Sequence, residues 1–145
     1  MTPTQFIDTL PEERREIVAK MRELLLKYDP EIKETDGDMM GKEMLMYCTQ
    51  ADSIMKYALS SVKAHISFHS MVMYSSSERF GGSGLREKYE KLLPKAKFQK
   101  GCVNFKSFVE MPIDIATSFI KEMANVKYPP PEYKDRMIAA EKKRQ

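Results

Sequence analysis

The sequence has few of the residues and segments that usually identify a catalytic site, a metal site or a membrane protein. Its 145 residues include no tryptophan, two cysteines and two histidines. Cys48 and Cys102 form no C-x-x-C motif, so neither a disulfide framework nor a multi-cysteine metal site is indicated. No apolar run approaches the roughly 20 residues of a membrane helix, and the first residues lack the basic start and apolar stretch of a secretory signal. We therefore expect a cytoplasmic protein that does not enter a membrane.

Charges of one sign are also not concentrated in one long segment of the sequence. The net charge is +3, with acidic and basic residues interspersed, so no strong field favours nucleic acid as a partner. A local basic cluster between Arg86 and Lys100 has no accompanying nucleic-acid motif, and a solvated face is the simpler interpretation. The length suits one domain. We predict a single domain over residues 1–126, followed by a proline-rich spacer and charged tail over residues 127–145, beginning near "KYPPPEY".

Helices are indicated at both ends of the predicted domain. Residues 2–5, "TPTQ", have the form of a capping box, and Pro112 suits the start of a later helix. An apolar stripe at helical spacing follows the first of these, and its members are Ile17, Val18, Met21, Leu24, Leu25 and Tyr28. Between the two ends, "GGSGLREKYEKLLP" predicts a glycine loop and a short helix. The loop lacks the lysine and spacing of a phosphate-binding P-loop.

The middle of the chain predicts strands. Turn residues at Asp36-Gly37, Gly41-Lys42 and 50–53 divide the segments "EIKETDGDMMGKEMLMYCT", "SIMKYALSS" and "VKAHISFHSMVMY". We predict three successive strands, extended throughout residues 43–74. Strand-like composition returns in "KAKFQKGCVNFKSFVEM", with a bulge or turn near Gly101. The expected fold is α+β, an antiparallel sheet of about five strands with the N-terminal and C-terminal helices packed on one face.

The two histidines lie within the third strand segment. His65 and His69 cannot form an H-E-x-x-H metal site, because Ile66 stands where that motif has glutamate. On a strand, four residues span about 13 Å, too far for both rings to bind one ion. We assign no metal site. Both histidines and Ser67 share a parity that points away from the core, and with Tyr47 from a neighbouring strand they would form a polar face.

We predict that this face, formed by Tyr47, His65, Ser67 and His69, binds a small ligand, a metal or a protein partner without catalysis. A concave, partly apolar pocket should then lie near these residues. The ordinary alternative is that the histidines are simply hydrogen-bonded or solvated on a half-buried sheet. The sequence names no cofactor.

Two other functions stay open. An enzyme could use Cys102 or a histidine as nucleophile or base, which requires a thiol and an imidazole within hydrogen-bond reach and a perturbed pKa. No spacing selects such a pair, so we assign no catalytic residue. A homodimer could instead bury the uncovered sheet face, or the tail beyond Tyr128, against a second copy.

Four stretches of the sequence together resemble the YdhG-like family of small bacterial proteins, whose function is unknown. They are "FIDTLP" in the first helix, a K-x-H-h-x-h strand at Lys63 to Phe68 (h is apolar), a strand of the G-x-C-h-x-F type at Gly101 to Phe105 with one residue fewer, and a helix after "MPID". The likeness covers roughly residues 2–125. It implies an α+β fold with an antiparallel sheet. Some members have been compared with frataxin and proposed as intracellular iron chaperones, which implies iron as a ligand. Here the acidic residues of the first long helix alternate with basic ones, whereas iron ions prefer carboxylates without intervening cations.

Overall fold

The computed structural model describes residues 2–39, 42–78, 82–130 and 142–143, and for residues 36–39 and 42 it describes the backbone only. The elements, in chain order, are α1 (Pro3–Asp8), α2 (Glu12–Tyr28), β1 (Ile32–Met39), β2 (Lys42–Thr49), β3 (Met55–Ser61), β4 (Ile66–Ser70), α3 (Met71–Ser75), α4 (Leu85–Leu92), β5 (Lys97–Phe98), β6 (Cys102–Phe105) and α5 (Ile113–Ala124).

The strands form one sheet in the order β1-β2-β3-β4-β6-β5, and every neighbouring pair is antiparallel. The predicted α+β class is therefore confirmed, with six strands where about five were expected. The extra strand arises because the first predicted strand segment folds back on itself as β1 and β2. Asp36 and Gly37, expected in a turn, lie within β1 opposite Leu45 and Met44. Of the other expected turn residues, Gly41 lies outside the described residues, Lys42 begins β2, and residues 50–53 lie between β2 and β3 as expected.

A second difference lies at the end of β4. Residues 71–74 were predicted to be extended, but the strand ends at Ser70 and α3 begins at Met71. Ser70 is the N-cap of α3, and its hydroxyl oxygen accepts a hydrogen bond from the backbone N–H of Met73 at 3.2 Å. A serine N-cap satisfies one of the amide groups that a helix start leaves unpaired. The extended backbone therefore does not continue past Ser70, although the alternation of apolar residues in the sequence does.

The start of α1 and the buried face of α2 agree with the sequence analysis. Thr2 and Gln5 form a reciprocal capping box at the start of α1, as predicted. The stripe on α2 is buried from Ile17 to Leu25. It packs in one apolar core with the sheet residues of one parity, among them Leu45, Tyr47, Tyr57, Leu59, Phe68 and Val103, and with Phe119 and Ile120 of α5. This is the helix-packed face of the sheet.

The core extends past the predicted domain boundary at residue 126. Tyr128 is 6% exposed and belongs to the same apolar core as α2 and α5. Most of the tail, residues 131–141 and 144–145, lies outside the described residues. Across the described ranges, no helix has both the length and the apolar character needed to cross a bilayer.

The glycine loop before α4 serves backbone packing. A Cβ built on Gly82 would lie 2.4 Å from the backbone carbon of Ser76, closer than any real contact allows. Gly84 has φ +86°, a left-handed conformation that glycine adopts at little cost. The amide N–H groups of Gly82 and Gly84 donate to the backbone oxygens of Ser77 and Ser76 at 2.9 and 2.8 Å. These amides hold the loop on the end of α3.

We expect Gly82→Ala to lower the free energy of unfolding by about 1–3 kcal/mol, because the added methyl group must displace the backbone of Ser76. Gly101→Ala is the matched control, since a Cβ there meets nothing closer than 3.8 Å. Its effect should stay within about 1 kcal/mol of zero. Urea denaturation of both variants measures the difference. Equal stability of the two variants would contradict the close packing of the loop.

Candidate functional site

Tyr47 does not share a face with the other predicted site residues. It lies opposite Glu34 on β1 and Tyr57 on β3, is fully buried in the helix-packed core, and donates its hydroxyl to Glu34 Oε2 at 2.8 Å. Its placement beside Ser67 on the far face was therefore wrong. The side of the sheet to which Tyr47 points depends on strand register, which the single strand pattern did not reveal.

His65 lies just before β4, in the turn that joins it to β3. Its backbone oxygen accepts a hydrogen bond from the N–H of Val62 at 2.9 Å and one from the Arg14 guanidinium at 3.3 Å. The side chain is partly buried. His65 is thus part of a tight connection, and only His69 lies within the strand.

Ser67 and His69 do share one face of the sheet, opposite the helices. The Ser67 hydroxyl donates to Asn104 Oδ1 at 2.7 Å, and His69 Nε2 lies 3.3 Å from Ser60 Oγ. Burial lowers the pKa of His69, so the neutral imidazole is favoured. We call Ser60, Ser67, His69 and Asn104 the polar sheet cluster. Sequence reasoning missed Ser60 and Asn104 because they reach the cluster from β3 and β6, and no local pattern marks them.

Cys102 stands directly opposite His69 in the β4–β6 pair. Its thiol donates to Gln99 Oε1 at 3.3 Å. Burial raises the pKa of the thiol, which disfavours the thiolate that a nucleophilic cysteine needs. Cys102 and an imidazole are therefore register partners, but the thiol donates to Gln99, and its pKa is shifted away from that of an activated nucleophile.

A fully buried ion pair joins the end of α2 to β3. Asp29 Oδ2 accepts hydrogen bonds from Lys56 Nζ and from the Tyr57 hydroxyl, both at 2.7 Å, and the side chains of Asp29 and Lys56 are 0% and 1% exposed. Asp29 Oδ1 accepts from the N–H of Glu31 at 3.1 Å. Burial and the nearby carboxylate raise the pKa of Tyr57. We call this group the Asp29 network.

Two similar groups tie other elements together. The Glu34 carboxylate accepts a hydrogen bond from the Tyr47 hydroxyl and two from the Arg22 guanidinium. The two Arg22 nitrogens lie 2.7 and 2.9 Å from the carboxylate oxygens. Burial, the Glu34 charge and its hydrogen bond raise the pKa of Tyr47. On the other side of the core, Glu122 accepts the Tyr89 hydroxyl and the Lys88 ammonium. Each of these carboxylates already has a cation beside it.

A cleft lies between the β2–β3 turn and the end of α5, and we call it the terminal cleft. Its volume is about 840 Å³. The lining residues are Pro30, Glu31, Thr49, Gln50, Ala51, Asp52, Ala124, Asn125, Val126, Lys127, Tyr128 and Pro129. The β2–β3 turn is held by Thr49, whose backbone N–H donates to the Ile54 oxygen at 2.8 Å and whose hydroxyl accepts from the Ile54 N–H at 3.2 Å.

A second cleft, of about 770 Å³, lies at the opposite end of the sheet between α1, α2 and the β3–β4 turn. Arg14 crosses it and binds the turn. Its two terminal nitrogens donate to the hydroxyl of Ser61 at 2.8 Å and to the backbone oxygens of Val62, Lys63 and His65. A third cleft of about 430 Å³ adjoins α4. None of the three is lined by Tyr47, His65, Ser67 or His69, so the pocket expected near these residues is not among them.

Metal-binding groups are also sparse. In the described part of the chain, no three or more histidine, cysteine, aspartate or glutamate side chains come together in a way that could hold an ion. Comparison with protein-family models, with curated proteins and with solved structures gave no match. The likeness to the YdhG-like family therefore stays a prediction from the sequence.

We expect Lys56→Met to lower the free energy of unfolding by about 3–5 kcal/mol, because it leaves the buried Asp29 carboxylate without its cation. Lys88→Met is the matched control. It removes a lysine that is 54% exposed and pairs with Glu122 at 2.9 Å, and such surface pairs contribute about 0–1 kcal/mol. Thermal or urea denaturation measures both. If Lys56→Met lowers the free energy of unfolding by less than Lys88→Met does, the buried Asp29 carboxylate does not depend on Lys56.

Stability should also fall at alkaline pH. Burial raises the pKa of Tyr128 to about 12, above the ordinary tyrosine value near 10. The folded state then holds this proton more tightly, so its stabilising effect is complete below pH 10 and is lost as the pH rises to about 12. Tyr128→Phe should make the fall in unfolding free energy between pH 10 and 12 smaller than in the parent protein. Tyr74→Phe, at an exposed position, is the control. An unchanged pH dependence in Tyr128→Phe would contradict the burial of this hydroxyl.

Proposed function

We propose that the protein is a non-catalytic binding protein that holds a small polar molecule in the terminal cleft. The observation that carries this proposal is the cleft itself. Its volume of about 840 Å³ lies within the range of roughly 300–1,000 Å³ that is typical of small-molecule sites. It also combines an apolar wall, from Val126, Tyr128 and Pro129, with a few polar side chains, as such sites usually do.

The lining favours a ligand that donates hydrogen bonds. Two carboxylates, Glu31 and Asp52, line the cleft against one cation, Lys127. Gln50 uses its amide N–H groups on the backbone oxygens of Pro30 and Ile32, at 2.9 and 3.1 Å. Its carbonyl oxygen is left as an acceptor. The charged side chains of the lining, two carboxylates and one lysine, leave a net negative charge, so an amine fits better than a carboxylate.

The walls are fixed before any ligand arrives. The Thr49 hydrogen bonds hold one wall, and the Gln50 amide ties that wall to the start of β1. The other wall includes Tyr128, which is buried in the core. A preformed site loses less conformational entropy on binding than a cleft that opens only transiently. The fixed walls therefore support the proposal that this cleft binds a ligand.

The other expectations stay proposals with weaker support. An iron-chaperone role, implied by the YdhG-like resemblance, needs clustered carboxylates, whereas Glu34 and Glu122 are each paired with a cation. An enzyme using Cys102 needs a thiolate that burial disfavours. A cytoplasmic location follows only from the sequence. A homodimer is tested directly by sedimentation at high concentration, where a monomer would remove it.

Benzylamine and benzoate, which share a shape and differ in charge, test the ligand class. We expect millimolar benzylamine to shift the backbone amide resonances of Thr49, Ala51 and Val126 in NMR spectra, because an ammonium group is attracted to the negatively charged lining and can approach Glu31. Benzoate should shift them less. Ala51→Trp should abolish the benzylamine shifts by filling the cleft.

Lys63→Trp is the control, since it places the same side chain in the second cleft at an exposed position. It should leave the benzylamine shifts unchanged. Loss of the shifts in both variants, equal shifts with benzoate, or no shifts in the parent protein would each reject an amine site in the terminal cleft.

A further inference from the structure

A thiol and an imidazole face each other on the side of the sheet away from the helices. His69 on β4 and Cys102 on β6 are direct register partners in an antiparallel pair. Directly opposed residues in such a pair project to the same face, with Cβ atoms about 4.5–5.5 Å apart. The two strands thus hold the Cβ atoms of a residue with a nitrogen donor and a residue with a sulfur donor side by side. In the unloaded protein the thiol donates to Gln99 Oε1 at 3.3 Å, so only a rotation of the Cys102 side chain is needed to turn the sulfur toward the imidazole.

The His69 imidazole is oriented by a hydrogen bond that leaves one ring nitrogen for a metal ion. Ser60 Oγ lies 3.3 Å from His69 Nε2, so Nδ1 is the ring nitrogen left to coordinate. Histidines that bind metals usually hydrogen-bond through their second ring nitrogen, which fixes the tautomer and the ring orientation.

We propose that His69 Nδ1 and Cys102 Sγ together bind one Cu(I) ion in two-coordinate geometry. A thiolate is a soft donor that selects Cu(I), and imidazole also suits copper. Zinc in structural sites takes four ligands, and the described residues supply no third histidine, cysteine, aspartate or glutamate to this pair. A two-donor site therefore fits an ion that accepts two ligands.

The charge balance also favours this ion. Binding breaks the S–H bond of Cys102, forms an S–Cu bond and releases one proton to solvent. The thiolate charge of −1 is cancelled by the +1 charge of the ion, so binding adds no net charge beside the Arg86 guanidinium, whose charge acts on Cys102.

Neighbouring sulfur atoms do not replace this pair. Met46 lies in the same cross-strand row, but Ala58 stands between it and His69. Two strand spacings, about 9.6 Å, then separate Met46 from His69, too far for both to bind one ion. Cys48 lies at the far end of β2, beyond the register shift, opposite Met55. It provides a matched thiol control.

Anaerobic competition between the protein and the Cu(I) chelator bicinchoninate tests the proposal. We expect one Cu(I) bound per chain. Cys102→Ser should abolish binding, His69→Gln should weaken it at least tenfold, and Cys48→Ser should leave it unchanged. Ser60→Ala should weaken binding about tenfold, the lower end of the effect seen when a hydrogen bond to a ligating histidine is lost. Circular dichroism of each variant checks folding.

X-ray absorption of the copper-loaded parent protein gives a test that needs no variant. One sulfur and one imidazole nitrogen around copper are expected. Two sulfurs and no nitrogen, copper that His69→Gln holds as tightly as the parent, or loss of copper in Cys48→Ser would each overturn the assignment. Ala51→Trp should bind copper normally, so failure of the amine test in the terminal cleft and failure of this site can be told apart.

Discussion

The structure depends most on one buried carboxylate. Asp29 ends α2 and accepts hydrogen bonds from the side chains of Lys56 and Tyr57 on β3. It also accepts the backbone N–H of Glu31, the residue just before β1. A charge fully removed from water is tolerated only when its partners satisfy it, so the helix end and the strand must meet in one arrangement. That arrangement sets where β1 begins and where the turn after β2 lies. Both are walls of the terminal cleft, so the cleft takes its shape from this ion pair.

The same combination of tyrosine, carboxylate and cation recurs around Glu34 and Glu122. All three groups connect a helix with another element at the margin of the apolar core. The helix-packed face is therefore held by apolar packing and by these polar links. The other face of the sheet has small polar side chains, a histidine and a thiol. The polar sheet cluster and Cys102 thus lie on the face that the helices do not cover.

Local patterns predicted much of this, because helix faces, caps and strand alternation are properties of neighbouring residues. The α2 stripe, the capping box at Thr2 and the shared face of Ser67 and His69 are examples. The face of Tyr47 and the pairing of His69 with Cys102 depend on which strands are neighbours and in which register. No local pattern encodes that. The helix after Ser70 was not predicted for another reason. Its residues continue the two-residue apolar alternation of a strand, but the single residue Ser70 caps a helix that begins at Met71.

Arg14 has a consequence for how this sequence can vary over evolution. Its guanidinium recognises the β3–β4 turn mainly through backbone oxygens, which every amino acid provides. Side chains at positions 62 and 63 can therefore be exchanged without changing what Arg14 binds. Arg14 itself cannot be exchanged so freely, because lysine offers one ammonium group in place of a planar fork that reaches several oxygens at once. Among related chains, a drifting turn sequence beside an unchanging arginine would be the signature of this contact.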